Sequence, residues 1–206
     1  MMTIGPARIE GFLKIYDPNS KEVLVEKKNA IHYENMSIAL AQSLAEYFVS
    51  GQQVGYIYAM AFGNGGSSVD PTGVITYLPP NTTGQNADLY NETYSKVVNQ
   101  NSAANTDPGR NKMTVLHTSG TVYTDILVSC LLDYGEPAGQ QAFDNSTNFN
   151  GEFVFDELGL KSWEGASDDL MLITHVIFHP VQKSLNRQIQ IDYTVRIQTL
   201  TNLSAA

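Results

Sequence analysis

Strict alternation of apolar and polar residues over positions 188–200 is the sequence feature that most constrains the fold. Apolar side chains occupy every second position, at Ile189, Ile191, Tyr193, Val195 and Ile197. Polar side chains fill the positions between them, at Gln190, Asp192, Thr194, Arg196 and Gln198. Because successive side chains of a strand point to opposite faces, the pattern predicts a strand with one buried face and one face in water. Such strands are typical of antiparallel sheets that pack on a core.

Similar patterns predict further strands at residues 8–16, 23–27, 54–62, 93–98, 112–118, 123–134, 153–160 and 170–178. The turn sequence Asp17–Ser20 predicts a hairpin between the first two, and we expect the last two strands of the chain to pair as a closing hairpin. In 54–62 both alternating sets are apolar, which predicts burial on both faces. The chain is therefore expected to be mainly β: an antiparallel β-sandwich or jelly-roll-like domain with one packed α-helix.

The single predicted helix covers residues 35–50. Met36, Leu40, Leu44 and Tyr47/Phe48 recur at helical spacing and form an apolar stripe suited to packing on a sheet. Asn35 is expected to cap the start, because its side-chain oxygen can accept from free backbone N–H groups. Gly51 is expected to end the helix in the left-handed conformation.

The 206 residues fit one domain, 1–206, with long polar loops at about 79–111 and 135–151. Long irregular segments in a compact domain are usually functional, and in an assembling protein they would reach a neighbouring subunit. Residues 99–110 are rich in Gly, Pro and Asn and are expected to form a surface arm with little core. Deleting them should leave the monomer folded but weaken assembly.

The charge and polarity of the chain favour packing between protein copies over binding to nucleic acid. Charged residues make up only 16% of the chain, whereas Asn, Gln, Ser and Thr number 58 of 206. The formal net charge is −9, and nucleic-acid binding requires clustered Lys and Arg to neutralise phosphates. A surface with few charges limits repulsion between packed copies, so the composition suits a subunit of an assembly.

Neither a disulfide framework nor a membrane span is expected. Cys130 is the one cysteine and lies in the apolar run 126–132, where it is expected to be a small core residue. No apolar run approaches the ~20 residues of a membrane helix. Met1–Pro6 has neither the basic nor the apolar region of a signal peptide, so the chain is expected to be made in a cytoplasm and to be soluble there.

Candidate motifs for chemistry each have a simpler structural interpretation. Gly63–Gly66 lacks the Gly-Lys-Ser/Thr ending of a phosphate loop and is expected to be a tight strand-end turn. His175 and His179 are four residues apart on a strand, roughly 13 Å, which is too far to share a metal. They are expected to be packing or surface histidines.

The acidic pairs also lack an obvious catalytic arrangement. Asp156 and Glu157 are adjacent in a predicted strand and should point to opposite faces, so they are not expected to form an acid–base pair. Asp168 and Asp169 follow a predicted turn, where a loose calcium site is conceivable. We therefore expect no catalytic residues, no cofactor and no firm metal site, and a chain that is not an enzyme.

Five motifs in order resemble the accessory structural proteins of large contractile-tailed bacteriophages. They are an N-terminal hairpin, an Asn-rich helix entry (Asn29–Ser37), a strand ending in a Gly-rich turn (Met60–Gly66, then Asp70–Gly73), the strand Phe155–Leu160, and a closing hairpin that joins 178–183 to 191–197. The resemblance implies a virion protein, most simply a subunit of the tail, neck or baseplate. A capsid decoration or cement protein is the alternative. The resemblance implies that the chain binds other virion proteins and copies of itself, as a trimer or hexamer. Neither nucleic acid nor a membrane is expected as a partner.

A host-surface glycan-binding module is a further alternative. Stacking faces could come from Trp163, expected in a turn, and from Tyr56, Tyr58, Tyr77, Tyr90, Tyr94 and Tyr123. Finding Trp163 and several tyrosines on one exposed concave patch would favour this function. A glycan-cleaving enzyme would need two carboxylates in a cleft ~5–10 Å apart, and the sequence nominates no such pair.

Overall fold

The computed structural model describes residues 7–138 and 153–199. Its elements in chain order are β1 (Ala7–Tyr16), β2 (Val23–Ile31), α1 (Tyr33–Leu44), β3 (Phe48–Val49), β4 (Gln52–Gln53), β5 (Ile57–Gly63), β6 (Ser67–Val69), β7 (Ile75–Tyr77), β8 (Glu92–Val97), β9 (Lys112–Leu116), β10 (Tyr123–Leu132), β11 (Val154–Ala166), β12 (Asp169–Leu172), β13 (Thr174–Gln182) and β14 (Ile189–Thr199). The predicted fold class is confirmed: the chain is mainly β, with one helix among the described residues.

One long antiparallel sheet organises the domain. Its strands follow the order β8-β5-β11-β13-β2-β1-β14-β10-β9, with β12 paired to β11 off this path. The sheet curls, so that its inner face encloses a core that includes Leu13, Phe62, Leu158, Phe178 and Tyr193. Every second residue of β14 from Ile189 to Val195 is buried, which confirms the alternation on which the fold prediction was based.

The expected closing hairpin is wrong. Strand β13 pairs with β11 and, through Thr174 and His175, with β2. Strand β14 instead lies between β1 and β10, with ten residue pairs on each side. Alternation indicates which face of a strand is buried but not which strand lies beside it, so the hydrophobic pattern could not distinguish these neighbours.

Strand β5 is covered on both faces, as its doubly apolar sequence predicts. Met60 and Phe62 belong to the main core. Ala61, on the opposite face, packs with Leu89 and Leu172 in a separate buried cluster. The second cluster exists because the loop before β8 folds over this side of the sheet.

The two ends of the curled sheet are joined by side chains. Lys96 of β8 donates from Nζ to the carbonyl of Leu131 on β10, over 2.7 Å. The side-chain amide of Gln100 accepts from the N–H of Met113 (3.0 Å) and donates to its carbonyl (3.4 Å). Gln100 thus takes the place of a neighbouring strand at one position of edge strand β9.

The helix begins earlier and ends earlier than predicted. His32, not Asn35, is the N-cap, and its Nδ1 accepts from the Asn35 N–H at 3.2 Å. The helix ends at Leu44, where Glu46 adopts φ 50° and Tyr47 N–H bonds the carbonyl of Gln42. This is a Schellman ending with a non-glycine residue in the left-handed position, which a search for glycine misses.

Residues 48–53 form a small hairpin where the helix was expected to continue. Strands β3 and β4 pair across Ser50 and Gly51, which both have positive φ (50° and 82°). Positive φ at both central residues is the requirement of a two-residue type I′ turn. Gly51 is left-handed as predicted, but it serves this turn and not the helix end.

Residues 99–110 do not form the expected loose arm. Asn105 is buried and donates from Nδ2 to the carbonyls of Asn99 and Asn111. Asn111 is buried in turn and its Oδ1 accepts from the N–H of Leu131 at 2.8 Å. Asn105 thus gives the loop a fixed shape and joins it to Asn111, although most residues of the loop are exposed. The effect of deleting residues 99–110 stays a prediction. Most of the other predicted loop, 135–151, lies outside the described residues.

A second hairpin, β6–β7, was not predicted. Ser67 pairs with Tyr77 and Val69 with Ile75. Asp70 organises its turn by accepting the N–H groups of Thr72 and Val74. Three-residue strands carry too little alternation to be recognised in the sequence.

Candidate functional site

The densest polar site is a buried group that we call the polar clamp, formed by the side chains of Asp156, Glu157 and His175. Glu157 accepts the N–H groups of Gly65 (3.0 Å) and Asn91 (2.8 Å) on Oε1. Its Oε2 accepts the Tyr90 N–H and faces Nε2 of His175 at 3.0 Å. Burial opposes ionisation of Glu157, but these hydrogen bonds outweigh it and hold its pKa below the usual value.

The neighbouring carboxylate binds the same turn. Asp156 accepts the N–H of Gly66 on Oδ1 (2.9 Å) and that of Ser67 on Oδ2 (2.8 Å). Asp156 and Glu157 were expected to point to opposite faces of the strand. In the structure both carboxylates bind the same Gly-rich turn. The register of β11 against β13 shifts between Phe155 and Glu157, and this irregularity lets both carboxylates reach consecutive amides of the Gly-rich turn.

The Gly63–Gly66 turn needs its glycines for close approach. A Cβ at Gly63 would lie 2.4 Å from Oε1 of Glu157, and one at Gly65 would lie 2.8 Å from the backbone N of Asn91. The prediction of a strand-end turn agrees with the structure. The backbone N–H groups of Gly65 and Gly66 in this turn already donate to Glu157 and Asp156, so they cannot bind a phosphate.

Three side chains of the domain hold the loop of residues 79–91 in place by hydrogen bonds. His175 Nδ1 accepts the Asn81 N–H at 2.8 Å, and His32 Nε2 bonds the Gly84 carbonyl at 3.0 Å. Asn35 donates to the Gln85 carbonyl at 3.0 Å. Instead of extending freely, this long loop lies on its own domain and exposes its outer side.

The polar clamp has the residue types of a catalytic centre but not the access. Both nitrogens of His175 are used, and its side chain and that of Glu157 are fully buried. Since the Asn81 N–H occupies Nδ1, the ring is neutral and donates from Nε2 to Glu157. No ring nitrogen is left for a substrate, so the geometry is that of a structural clamp.

The other candidate residues are dispersed. His179 is exposed and bonds the Tyr77 hydroxyl at 3.1 Å, and His117 bonds Thr124 Oγ1 at 3.0 Å. Cys130 is buried in the core as predicted, and burial raises its thiol pKa to about 12. Within residues 7–138 and 153–199, no three His, Cys, Asp or Glu side chains come together to bind a metal. Asp168 and Asp169 are therefore not joined there by a third His, Cys, Asp or Glu side chain that would complete a metal site.

A pocket of about 560 Å³ opens beside the β3–β4 hairpin, and we call it the amide pocket. It is lined by Gln52, Gln53, Tyr56, Tyr58, Asn99, Asn101, Ser102, Met113 and Trp163. Its floor is an aromatic pair, with the rings of Tyr58 and Trp163 centred 4.5 Å apart. Trp163 lies in strand β11 and is 9% exposed, so the expectation of an exposed tryptophan in a turn is wrong.

Only two of the six tyrosines proposed for glycan stacking, Tyr56 and Tyr58, share this pocket with Trp163. Tyr94 packs on Phe62 beside the core, and Tyr123 stacks under the guanidinium of Arg196 at 3.9 Å. The sequence did not reveal the pocket because its lining comes from four separate parts of the chain: residues 52–58, residues 99–102, Met113 and Trp163. Alternating Gln and Asn residues beside turn sequences were its only local signal.

An apolar groove of about 290 Å³ lies between α1 and the end of the sheet near β9. Its lining includes Leu40, Ile57, Val115, Ile126 and Ile197. Val115 is 69% exposed at the edge of the sheet. The helix is too short to cover the whole inner face, so this end of the core remains open.

Comparisons with protein-family models, with curated proteins and with solved structures found no match. Among the described residues, no helix has the length and hydrophobicity needed to cross a membrane.

Proposed function

We propose that the chain is a non-enzymatic assembling subunit of a tailed-bacteriophage virion, located in the tail, neck or baseplate. The observation that carries the proposal is apolar surface left exposed at three places. Leu44, Tyr47 and Phe48 project where the helix ends, and Leu44 is 88% exposed. Monomeric proteins rarely leave grouped large apolar side chains in water, and such surface typically marks an interface.

The second exposed place is the edge of the sheet. Val115 and Leu116 on β9, with Val122 at the end of the turn that leads into β10, are all exposed. On the outer edge of β9, the side chain of Gln100 bonds the backbone N–H and carbonyl of Met113. Within the described residues, no side chain bonds the outward backbone groups of Val115 in this way. An open edge with apolar side chains can pair with a strand of another subunit.

The third place is the β6–β7 hairpin, where Val69, Val74, Tyr77 and Leu78 are exposed. The hairpin lies beside β13, where the hydroxyl of Tyr77 bonds His179, and four strands separate β13 from β9 in the sheet order. Two apolar surfaces of different composition on one subunit fit head-to-tail contacts, which generate closed rings when the rotation closes.

A non-enzymatic role is supported by the polar clamp. The buried histidine–carboxylate pair of the described domain is consumed in holding loops. The order of sequence motifs that resembles accessory proteins of contractile-tailed phages supports the choice of particle. Both arguments favour a structural subunit whose partners are copies of itself and other virion proteins.

The mass of the purified chain in solution tests the proposal. Light scattering over a range of concentrations should show a discrete oligomer, a trimer or hexamer, in place of a monomer. A chain that stays monomeric at every concentration would contradict self-assembly. That result would favour the alternative of a capsid decoration protein, whose geometry is imposed by a lattice already formed.

A further inference from the structure

We propose that the amide pocket is a binding site for an uncharged carbohydrate. This inference goes beyond the assembly role and does not depend on it. The pocket volume of about 560 Å³ lies within the ~300–1,000 Å³ range of small-molecule sites. Its lining combines aromatic rings with side-chain amides and hydroxyls, and the argument rests on that combination.

The charge of the lining selects the class of ligand. None of the nine lining residues carries a formal charge. A phosphorylated or carboxylated ligand would lose its hydration without gaining a cationic partner, which is costly. The pocket therefore favours a neutral ligand with many hydrogen-bonding groups.

The polar groups of the pocket match sugar hydroxyls. Each Gln or Asn amide presents both donors and an acceptor, and each sugar hydroxyl can donate and accept. Gln52 and Gln53 face the pocket from the β3–β4 hairpin, and Asn99, Asn101 and Ser102 face it from the loop after β8. Amides on two opposite walls can therefore bond a polyol from both sides.

The aromatic floor supplies an apolar surface of the kind that packs against the C–H face of a sugar ring. Tyr56 is partly exposed, while Tyr58 and Trp163 are buried beneath it. Burial, and then the nearby Tyr58, raises the pKa of Tyr56, so its hydroxyl stays protonated and can donate. Trp163 Nε1 is buried with no hydrogen-bond partner among the described residues, so the contribution of Trp163 to the pocket is the surface of its ring.

The walls are held in place before any ligand arrives. The Asn99 N–H donates to the Tyr58 carbonyl at 3.2 Å, and Oδ1 of Asn99 accepts the Asn101 N–H at 2.9 Å. On the other side, the Gly55 N–H donates to the Trp163 carbonyl at 2.8 Å. A site built on such fixed backbone loses little entropy on binding, which favours recognition of a weakly binding neutral ligand.

Trp163 is the only tryptophan of the chain, so its fluorescence reports on the pocket directly. The full chain would be titrated with uncharged oligosaccharides of glucose, galactose, mannose or N-acetylglucosamine. Sialyllactose and oligogalacturonate serve as acidic comparators. We expect saturable binding of at least one neutral oligosaccharide with a change in Trp163 emission, confirmed by calorimetry, and weaker or no binding of the acidic sugars.

Two variants and two controls locate the binding. Tyr56→Ala should weaken it about tenfold through the lost ring. Gln52→Ala, at an exposed hairpin position that carries no core, should weaken it about three- to tenfold. Tyr33→Ala changes an exposed tyrosine and Asn86→Ala an exposed amide residue, both outside the pocket, and both variants should bind normally.

Three results would overturn the inference: no neutral sugar binds, only acidic sugars bind, or the pocket variants bind as well as the controls. Gln52→Ala keeps the test valid if Tyr56→Ala fails to fold. The oligomeric state of the chain does not enter this experiment, so its failure would leave the assembly proposal untouched.

Discussion

Oε2 of Glu157 lies 3.0 Å from Nε2 of His175, and both side chains are completely buried. Around this pair, backbone N–H groups of Gly65, Tyr90 and Asn91 point at the same carboxylate. Two strands, the Gly-rich turn and the end of the 79–91 loop are thus connected through one side chain. Hydrogen bonds to Glu157 hold its pKa below the usual value, so we expect its ionised form to stabilise this side of the domain.

Replacing Glu157 with Gln should destabilise the protein by about 3 kcal/mol at neutral pH. The NH₂ group of Gln would face N–H donors that now meet an oxygen, and at least two of them would be left buried without an acceptor. Urea denaturation measures the change in unfolding free energy. Glu34→Gln, at an exposed helix position, is the control and should change it little.

The same substitution should alter the acid sensitivity of the fold. Because the pKa of Glu157 is lowered in the folded state, its contribution is fully present above the unfolded pKa near 4.5. It is lost as pH falls through the lower folded value. The stability difference between wild type and Glu157→Gln should therefore shrink in acid. A difference that stayed constant would show that the charge of Glu157 is not what stabilises the site.

Asn111→Ala should cost about 2 kcal/mol of stability. Asn111 Oδ1 is the acceptor for the buried N–H of Leu131, and its loss leaves that donor unpaired. Thermal or urea unfolding would show the effect, with exposed Asn86→Ala as the matched control. Equal stability of the two variants would show that the bond from the Leu131 N–H to Asn111 does not stabilise the fold.

Local patterns predicted most strands and the fold class, because burial on a sheet face repeats at the period of the strand itself. They did not predict the buried polar residues. His32, Asn35, Glu157 and Asn111 make their important bonds to backbone groups as far as 137 positions away along the chain. Such pairing depends on how the sheet curls and leaves no periodic trace.

The amide pocket shows the same limit. Trp163 follows a predicted strand and was expected in a turn, yet β11 continues to Ala166 and buries it. Polar and charged residues in this stretch, such as Lys161, interrupt the apolar pattern by which a strand is recognised in a sequence. Lys161 is buried but forms ion pairs with Asp88 and Glu92, so the strand continues through it. A charged residue in the sequence alone favours a loop.

Glu46→Gly should stabilise the protein by about 0.5–1 kcal/mol. Glu46 holds φ 50° at the end of α1, a conformation that costs a side-chain-bearing residue about 1–2 kcal/mol and glycine almost nothing. The greater freedom of glycine in the unfolded chain offsets part of that gain. Urea midpoints would measure it, with Glu34→Gly inside the helix as a control that should destabilise. A loss of stability in Glu46→Gly would show that its side chain has a stabilising role.

Val115→Lys should shift the proposed oligomer towards monomer while leaving the fold intact. Val115 is mostly exposed on edge strand β9, so a lysine there can reach water without entering the core. Lysine on a sheet edge opposes pairing with another strand, because its charge would be buried in the contact. Light scattering measures the change in oligomer mass, and a melting curve shows whether the fold stays intact.

Val74→Lys is the companion variant, which tests the second apolar surface. It places the same charge on the exposed β6–β7 hairpin, away from β9. A fall in mass with Val115→Lys alone would assign the self-contact to the β9 edge. A fall with Val74→Lys alone would move it to the hairpin, and falls in both would fit a head-to-tail ring that uses the two surfaces together. An oligomer that withstands both substitutions would leave the helix end, around Leu44, as the remaining exposed apolar surface to carry the contact.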